Sequence, residues 1–188
     1  QLRLTGHSDG IWSAVWSPDG SAIATGSNDG WAGVWNALTG NAVLWLCAPD
    51  YIRRVALPAI RRGRERAGKP MTDFEIVASV PAAITVDRGA ALALFKRELT
   101  RYLALPFYRA MLEKSGFGAE LAAYDRAPAP EAVPDRLAGA LGAVGDYRTL
   151  AAFVAAHRDA GVTLPAIRPI GFPDAPHYLP TLEAGATT

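Results

Sequence analysis

One cysteine in 188 residues, Cys47, excludes an internal disulfide and a thiolate metal cluster, and it suits a reducing, cytoplasmic setting. Neither His157 nor His177 has a second ligand at a metal-binding spacing, so no metal site is expected. The formal net charge is only +1, which gives no electrostatic case for a nucleic-acid partner or an anionic membrane. Long apolar runs are absent. None exceeds the length of Ala42 to Ala48, which falls far short of the roughly 20 residues that span a bilayer. No charged-then-apolar segment opens at Gln1, so no secretion signal is expected.

Two scarcities divide the chain. Tryptophan disappears after Trp45: all five lie at 12, 16, 31, 35 and 45. Proline is rare before Pro49, with Pro18 alone preceding it out of fourteen. Before residue 41 one basic residue, Arg3, faces Asp9, Asp19 and Asp29, a net charge of −2, so the total of +1 leaves +3 for the remainder. That remainder is rich in Ala, Arg and Pro. The change of vocabulary places a boundary between Gly40 and Pro49, with one unit over 1–40 and a second over 41–188.

The first unit reads as three short strands. Residues 11–17 alternate with period two, Pro18-Asp19-Gly20 is a turn, 21–27 forms a second strand, Asn28-Asp29-Gly30 a tight hairpin turn, and 31–36 a third strand. Gly6-His7, Ser17-Pro18-Asp19-Gly20, Ala24-Thr25-Gly26-Ser27, Asp29 and Val34-Trp35-Asn36 follow one another in the order and spacing of a WD repeat, and residues 2–40 resemble one. The resemblance implies a propeller-type antiparallel blade with a buried hydrogen-bonded tetrad of His7, Thr25, Asp29 and Trp35. Asn36 departs from the family's usual Asp. Propellers use about 4–8 blades, and no second Gly-His or later Trp supplies another here.

The second unit alternates helices and strands. Residues 50–68 have a helical period broken at Pro58 and closed by Gly68; 74–86 is an apolar, β-branched strand interrupted by Pro81. Asp87 caps a helix through Leu103, with Leu92, Phe95, Leu99 and Tyr102 on one face. Further helices are expected over 107–115, 135–141 and 149–160, a Pro-rich loop over 127–134, and a strand over 162–170. Strands alternating with helices imply βα units around a parallel sheet. The basic residues Arg53, Arg54, Arg61, Arg62, Arg64, Arg66 and Lys69 read as a solvated helix face, since no aromatic platform accompanies them.

The segments "NAVLWLCAPDYIRRVALPAIRRGRERAGK", "FEIVASVPAAITVD", "ALALFKRELTRYLALPFYRAMLEKSGF" and "AVGDYRTLAAFVAAHRDAGVTLPAIRPIG" resemble the C-terminal half of a luciferase-like oxidoreductase over about 41–185. The resemblance implies an α/β fold, the C-terminal half of a (β/α)8 barrel. It also implies hydride transfer between coenzyme F420, or flavin mononucleotide, and a small organic substrate. Sites in such barrels lie at the C-terminal ends of the strands. By position, Trp45 and Cys47, after the strand at 42–46, and Arg168, at the end of the last strand, would border the cofactor. The barrel's first half, with its acid/base residues and Gly-rich cofactor cradle, has no counterpart in the sequence, so no turnover is expected of this chain.

The functional expectation is a fragment of a flavin- or F420-dependent oxidoreductase whose barrel or propeller a protein partner completes. Exposed edges predict oligomerisation or aggregation. The alternatives are a WD-repeat interaction module carrying a passenger segment, and a chimeric gene model without a function of its own.

Overall fold

A computed structural model of the chain describes residues 7, 9–16, 22–28, 32–36, 41–66, 68–72 and 74–186. Three strands come first: β1 (Ile11–Trp16), β2 (Ala22–Ser27) and β3 (Ala32–Asn36). They pair antiparallel in sequence order, as the turn signals between them require. The sheet does not end there. Strand β3 pairs antiparallel with β4 (Ala42–Leu44) through Val34↔Val43 and Trp35↔Ala42, and β4 runs parallel to β5 (Ile76–Ile84). The boundary drawn between Gly40 and Pro49 thus falls at a strand-to-strand connection within one seven-stranded sheet.

Strand β5 is the hub. Its first residues pair with β4 (Leu44↔Ala78), its last with β6 (Ala143–Gly145; Ala82↔Ala143), and its length with β7 (Leu164–Pro169), all parallel. Because Val77 and Ala78 have partners in both β4 and β7, those strands flank β5 on opposite sides; β4 and β6 share one side, end to end.

The hydrogen bonds assign each residue of β5 to a side. Ala42 N–H donates to Glu75 O (3.2 Å) and Thr85 N–H to Gly145 O (2.8 Å), so the odd positions serve β4 and β6. Ile170 N–H donates to Ala82 O (2.8 Å), so the even positions serve β7. Pro81 is odd and falls between the partners of β4 and β6, where no ladder bond is required of it. The proline that reads as an interruption therefore marks the change of neighbour. In β7 the same parity turns Pro165 and Pro169 toward the outer side, which removes two N–H groups from that edge.

Helices cover the parallel part: α1 (Pro49–Tyr51), α2 (Leu57–Arg66), α3 (Arg88–Leu103), α4 (Pro106–Lys114), α5 (Gly118–Asp125), α6 (Asp135–Leu141), α7 (Tyr147–Asp159) and α8 (Tyr178–Gly185). The expected break at Pro58 does not occur. A π-helical turn, Ile52–Ala56, precedes it, and Leu57 N–H reaches back to Ile52 O. The wider turn joins α1 to α2 and lets the helix run past a residue that cannot donate.

Asp87 caps α3 by accepting from Ala90 N–H (3.0 Å), and Asp146 caps α7 by accepting from Thr149 N–H (2.8 Å). At the other ends Gly68 (φ +64°) and Gly161 (φ +98°) close α2 and α7. Paired bonds from Gly68 to Glu65 O and Lys69 to Arg64 O, and from Gly161 to Arg158 O and Val162 to His157 O, complete each cap.

The main core joins Trp35 of the first strands to Leu44, Ile76, Phe95, Leu99, Leu103 and Leu137. A smaller cluster packs Leu150 and Val154 of α7 on Val80 and Ala82. On α3 the buried stripe is Ala91, Phe95, Leu99 and Leu103, so Tyr102 belongs to the flanking face rather than to the expected apolar one. Arg64 is not a solvated cation as its neighbours are. It is buried, its Nε–H donates to Pro70 O (2.8 Å), and its guanidinium lies 4.4 Å from the Phe74 ring centre. No helix among the described residues is long and apolar enough to cross a membrane.

His157, on α7, is 1 % exposed, and its Nδ1–H donates to Phe153 O (2.9 Å). Burial pushes its pKa below the ordinary 6.5, against weaker upward pulls from the backbone of Phe153 and Cys47. The unfolded chain then takes up a proton that the folded one refuses. Stability from this group is full above about pH 6.5 and is lost as the pH falls toward the lower folded value. Urea midpoints measured between pH 7.5 and 5 are expected to fall, and to fall less steeply in His157→Leu. Equal slopes would remove His157 from the acid response.

Candidate functional site

The site is built where the parallel strands end. After β4 the chain passes through Leu46 at φ +52°, the one non-glycine residue with positive φ among those described. That conformation costs on the order of 1 kcal/mol in a side-chain-bearing residue. It turns the backbone so that Leu46 and Cys47 enter the core, while Trp45 stays half-buried at the strand end.

The Trp45 indole N–H donates to the Tyr102 hydroxyl (3.0 Å), and the Arg168 guanidinium lies 5.3 Å from the centre of its ring. Strand β4, strand β7 and helix α3 thus each supply one member of a contact cluster. Arg168 also pairs with Glu98, one turn before Tyr102 on α3: Nη2 lies 2.6 Å from Oε1, and Nη1–H donates to Oε2 at 3.3 Å and to Pro169 O at 3.4 Å.

Above this cluster opens a cavity of about 600 Å³ between α3 and the segment after β7. From α3 it receives Leu94, Arg97, Glu98, Arg101 and Tyr102, residues at helical spacings of three and four. Arg168 forms its floor, and Phe172 and Asp174 its far wall. That wall is tied down by His177, whose Nε2–H donates to Ile170 O (2.7 Å), and by Thr181, which donates to His177 O (2.6 Å) and accepts from Ile84 N–H (2.9 Å). The far wall is thereby bolted to the end of β5.

Of the three positions assigned to the cofactor border by sequence, the structure brings Trp45 and Arg168 together. Cys47 lies elsewhere. Its thiol is buried 3.6 Å from Met111 Sδ, does not line the cavity, and is pushed up to about 12 by burial. Such a thiol is inert near neutral pH. Burial also raises the neighbouring Tyr108 phenol, with Cys47 and Tyr102 adding to the effect, so its proton is not available either. Sequence reasoning missed Glu98, Arg97, Arg101 and Phe172. The signal was present on α3, where Leu94, Glu98, Arg101 and Tyr102 form a second stripe beside the buried one.

Three of the four tetrad residues meet in the antiparallel part. His7 Nε2 lies 2.6 Å from Thr25 Oγ1, which accepts from Trp35 Nε1–H at 2.6 Å, and the His7 and Trp35 rings meet edge-on at 5.6 Å. Asp29 lies outside the described residues. Thr25 and Trp35 are buried, and these bonds satisfy polar groups that would otherwise cost about 1–3 kcal/mol each. Among the described residues no group of three or more His, Cys, Asp or Glu is placed to hold a metal ion.

The family model for luciferase-like monooxygenases matches residues 9–164, through both the antiparallel strands and the parallel part. The comparisons give no support to a WD repeat over 2–40 or to a fusion of two unrelated pieces. Uncharacterized proteins of Mycobacterium bovis and Mycobacterium tuberculosis are 31% identical over 111 residues, which is 54% of this chain and 33% of theirs. The chain therefore spans about a third of the length of these relatives.

Two solved structures share the fold. One is an F420-dependent secondary alcohol dehydrogenase in complex with an F420-acetone adduct (TM-score 0.53, 11% identity, 76% of this chain and 39% of that one). The other is a coenzyme F420-dependent tetrahydromethanopterin reductase from Methanopyrus kandleri (TM-score 0.56, 21% identity, 76% and 42%). With a family match that covers most of its length and a parallel sheet whose strand ends frame a cavity, the chain belongs to the luciferase-like monooxygenase family.

Proposed function

We propose that this chain is the cofactor-bordering portion of an oxidoreductase that moves hydride between coenzyme F420, or flavin mononucleotide, and a small organic substrate. The observation that carries the reading is the cavity between α3 and the end of β7, lined by Tyr102 and Arg168, both of which contact Trp45. Its volume lies within the range of small-molecule sites, roughly 300–1,000 Å³.

The residues present fit such a group. Tyr102, Leu94 and Phe172 offer the apolar and aromatic surface a planar ring needs, and Arg168 has buried nitrogens without hydrogen-bond partners among the described residues. When bound, the cofactor supplies the hydride chemistry; the protein's share is to bind, orient and exclude water. Here Trp45 holds the plane of the Arg168 guanidinium, and Tyr102 is fixed by the indole N–H it accepts. The described residues supply no free acid or base at neutral pH from Cys47 or Tyr108.

Among the described residues the parallel strands β4–β7 lie three abreast, with β4 and β6 end to end on one side of β5, and do not close an eight-stranded barrel. We therefore expect cofactor binding without turnover, and catalysis only with a polypeptide that supplies the remaining strands. Titration of the purified chain with F420 and with flavin mononucleotide, followed by quenching of the cofactor fluorescence, tests this. Saturable binding of one of them, weakened by Trp45→Ala, is expected. Linear, non-saturating signals with both up to high micromolar concentrations would sink the reading.

A further inference from the structure

The charge around the cavity is unbalanced, and one of its cations is poorly served. Arg97, Arg101 and Arg168 line it against two carboxylates, Glu98 and Asp174. Arg168 is the informative one. Its Nε and Nη2 are buried and without a hydrogen-bond partner among the described residues. Glu98 neutralises its charge, with Nη2 2.6 Å from Oε1, but off the hydrogen-bond direction; the bonds from Nη1 are long, at 3.3 and 3.4 Å. A guanidinium and a carboxylate that suit one another form two short parallel bonds. This pair does not, although both side chains are three-quarters or more buried.

Two N–H groups on one edge of a guanidinium, Nε and Nη2, are the fork that grips two oxygens of an oxyanion side-on. The Trp45 ring keeps that fork from turning away. Glu98 lies against Nη2 of this fork and stands on α3 one turn before Arg101, whose cation would take up a displaced carboxylate.

We infer that the cavity is an oxyanion site. It takes a carboxylate or phosphate borne on an apolar body, seated on the Nε/Nη2 edge of Arg168, with Glu98 as an internal stand-in that the incoming anion displaces. Leu94, Tyr102 and Phe172 receive the apolar body, and Arg97 and Arg101 draw the anion to the mouth. The inference rests on this cavity being the ligand site, and it names the chemical class of what enters; it requires no cofactor.

The test uses the cofactor-free chain and isothermal titration at low ionic strength with three probes of similar body: phenyl phosphate, benzoate and uncharged benzyl alcohol. Saturable binding of phenyl phosphate, benzoate or both is expected, with none of benzyl alcohol; which anion binds tells phosphate from carboxylate. Glu98→Gln preserves packing and removes the competing charge, and it should tighten the bound anion by about tenfold. Arg168→Gln should weaken it by at least about tenfold, and Arg168→Lys, which keeps the charge and loses the fork, should not restore it.

Equal binding of the alcohol, binding of neither anion, weaker binding in Glu98→Gln, or full rescue by Arg168→Lys would each overturn the inference. A chain that binds phenyl phosphate but neither F420 nor flavin mononucleotide would uphold the oxyanion site and sink the cofactor reading. The opposite pattern would do the reverse.

Discussion

Trp35→Ala is expected to lower stability by about 3–5 kcal/mol and to do so in one cooperative unfolding transition. Trp35 is 1 % exposed and sits in the same core as Leu44, Ile76 and Phe95, so its indole holds the antiparallel strands onto the parallel ones. Removing it leaves a cavity and strips Thr25 of the N–H donated at 2.6 Å. Against a total stability of about 5–15 kcal/mol this is a large fraction. The melting temperature should fall by roughly 10 °C for a chain of this size. Far-ultraviolet circular dichroism and tryptophan fluorescence should report coincident midpoints. Two separated midpoints, with only the earlier one moved, would mean that the antiparallel strands fold as a unit of their own. Trp35→Phe keeps most of the buried ring and should cost less.

The second large effect is steric. Gly142 has extended backbone (φ −162°), which any residue adopts, yet a Cβ there would lie 2.6 Å from Phe95 Cε1 and 3.1 Å from Pro81 O. Phe95 is fully buried on α3, and Pro81 O is main chain, so neither yields readily. Gly142→Ala is therefore expected to destabilise by about 1–3 kcal/mol. The entropy that alanine removes from the unfolded chain, about 0.4–1 kcal/mol, is too small to reverse the sign. Combining it with Phe95→Leu should cost less than the sum of the two single changes, by on the order of 1 kcal/mol. Additive costs in urea denaturation would show that α3 does not bear on Gly142.

How far the sequence carries this fold depends on the kind of signal. Local chemistry is legible: the capping aspartate at 87 and the glycine stop at 68 stand where the pattern puts them. The luciferase-like segments likewise point to the right family over the parallel part. What is not legible is pairing between distant segments. Trp-rich, proline-poor residues 11–36 and Ala- and Arg-rich residues after 41 read as separate vocabularies, but Val34↔Val43 and Trp35↔Ala42 carry one sheet across the change. Composition reports local taste in residues, and a ladder of backbone bonds has none.

Short elements were hidden as well. Strand β6 is three residues long, and α8 lies in a stretch whose prolines disguise it. At the site, positional reasoning from strand ends names Trp45 and Arg168, which the structure brings into contact. It also names Cys47, whose thiol lies in the core beside Met111 and not along the cavity. Glu98 escapes notice because an acidic residue on a helix is unremarkable until its arginine, 70 residues later, is placed opposite.

The central place of β5 also sets an order of events during synthesis. Its partner β4 is about 34 residues behind it in the chain, as the bond from Glu75 N–H to Asn41 Oδ1 records. Its partner on the other side begins 87 residues ahead, at the bond between Ile76 and Thr163, and the bolt from Thr181 to Ile84 lies 97 residues ahead. At a translation rate of about 5–20 residues per second, β5 therefore waits roughly 5–20 s with one edge paired and the other bare. The antiparallel hairpins, made of neighbours, close within microseconds of emerging. The nascent chain thus passes through a stage in which a finished meander and β4 hold one side of a nine-residue apolar strand whose other side has no mate. It is in that interval, rather than in the completed protein, that a chaperone has most to protect.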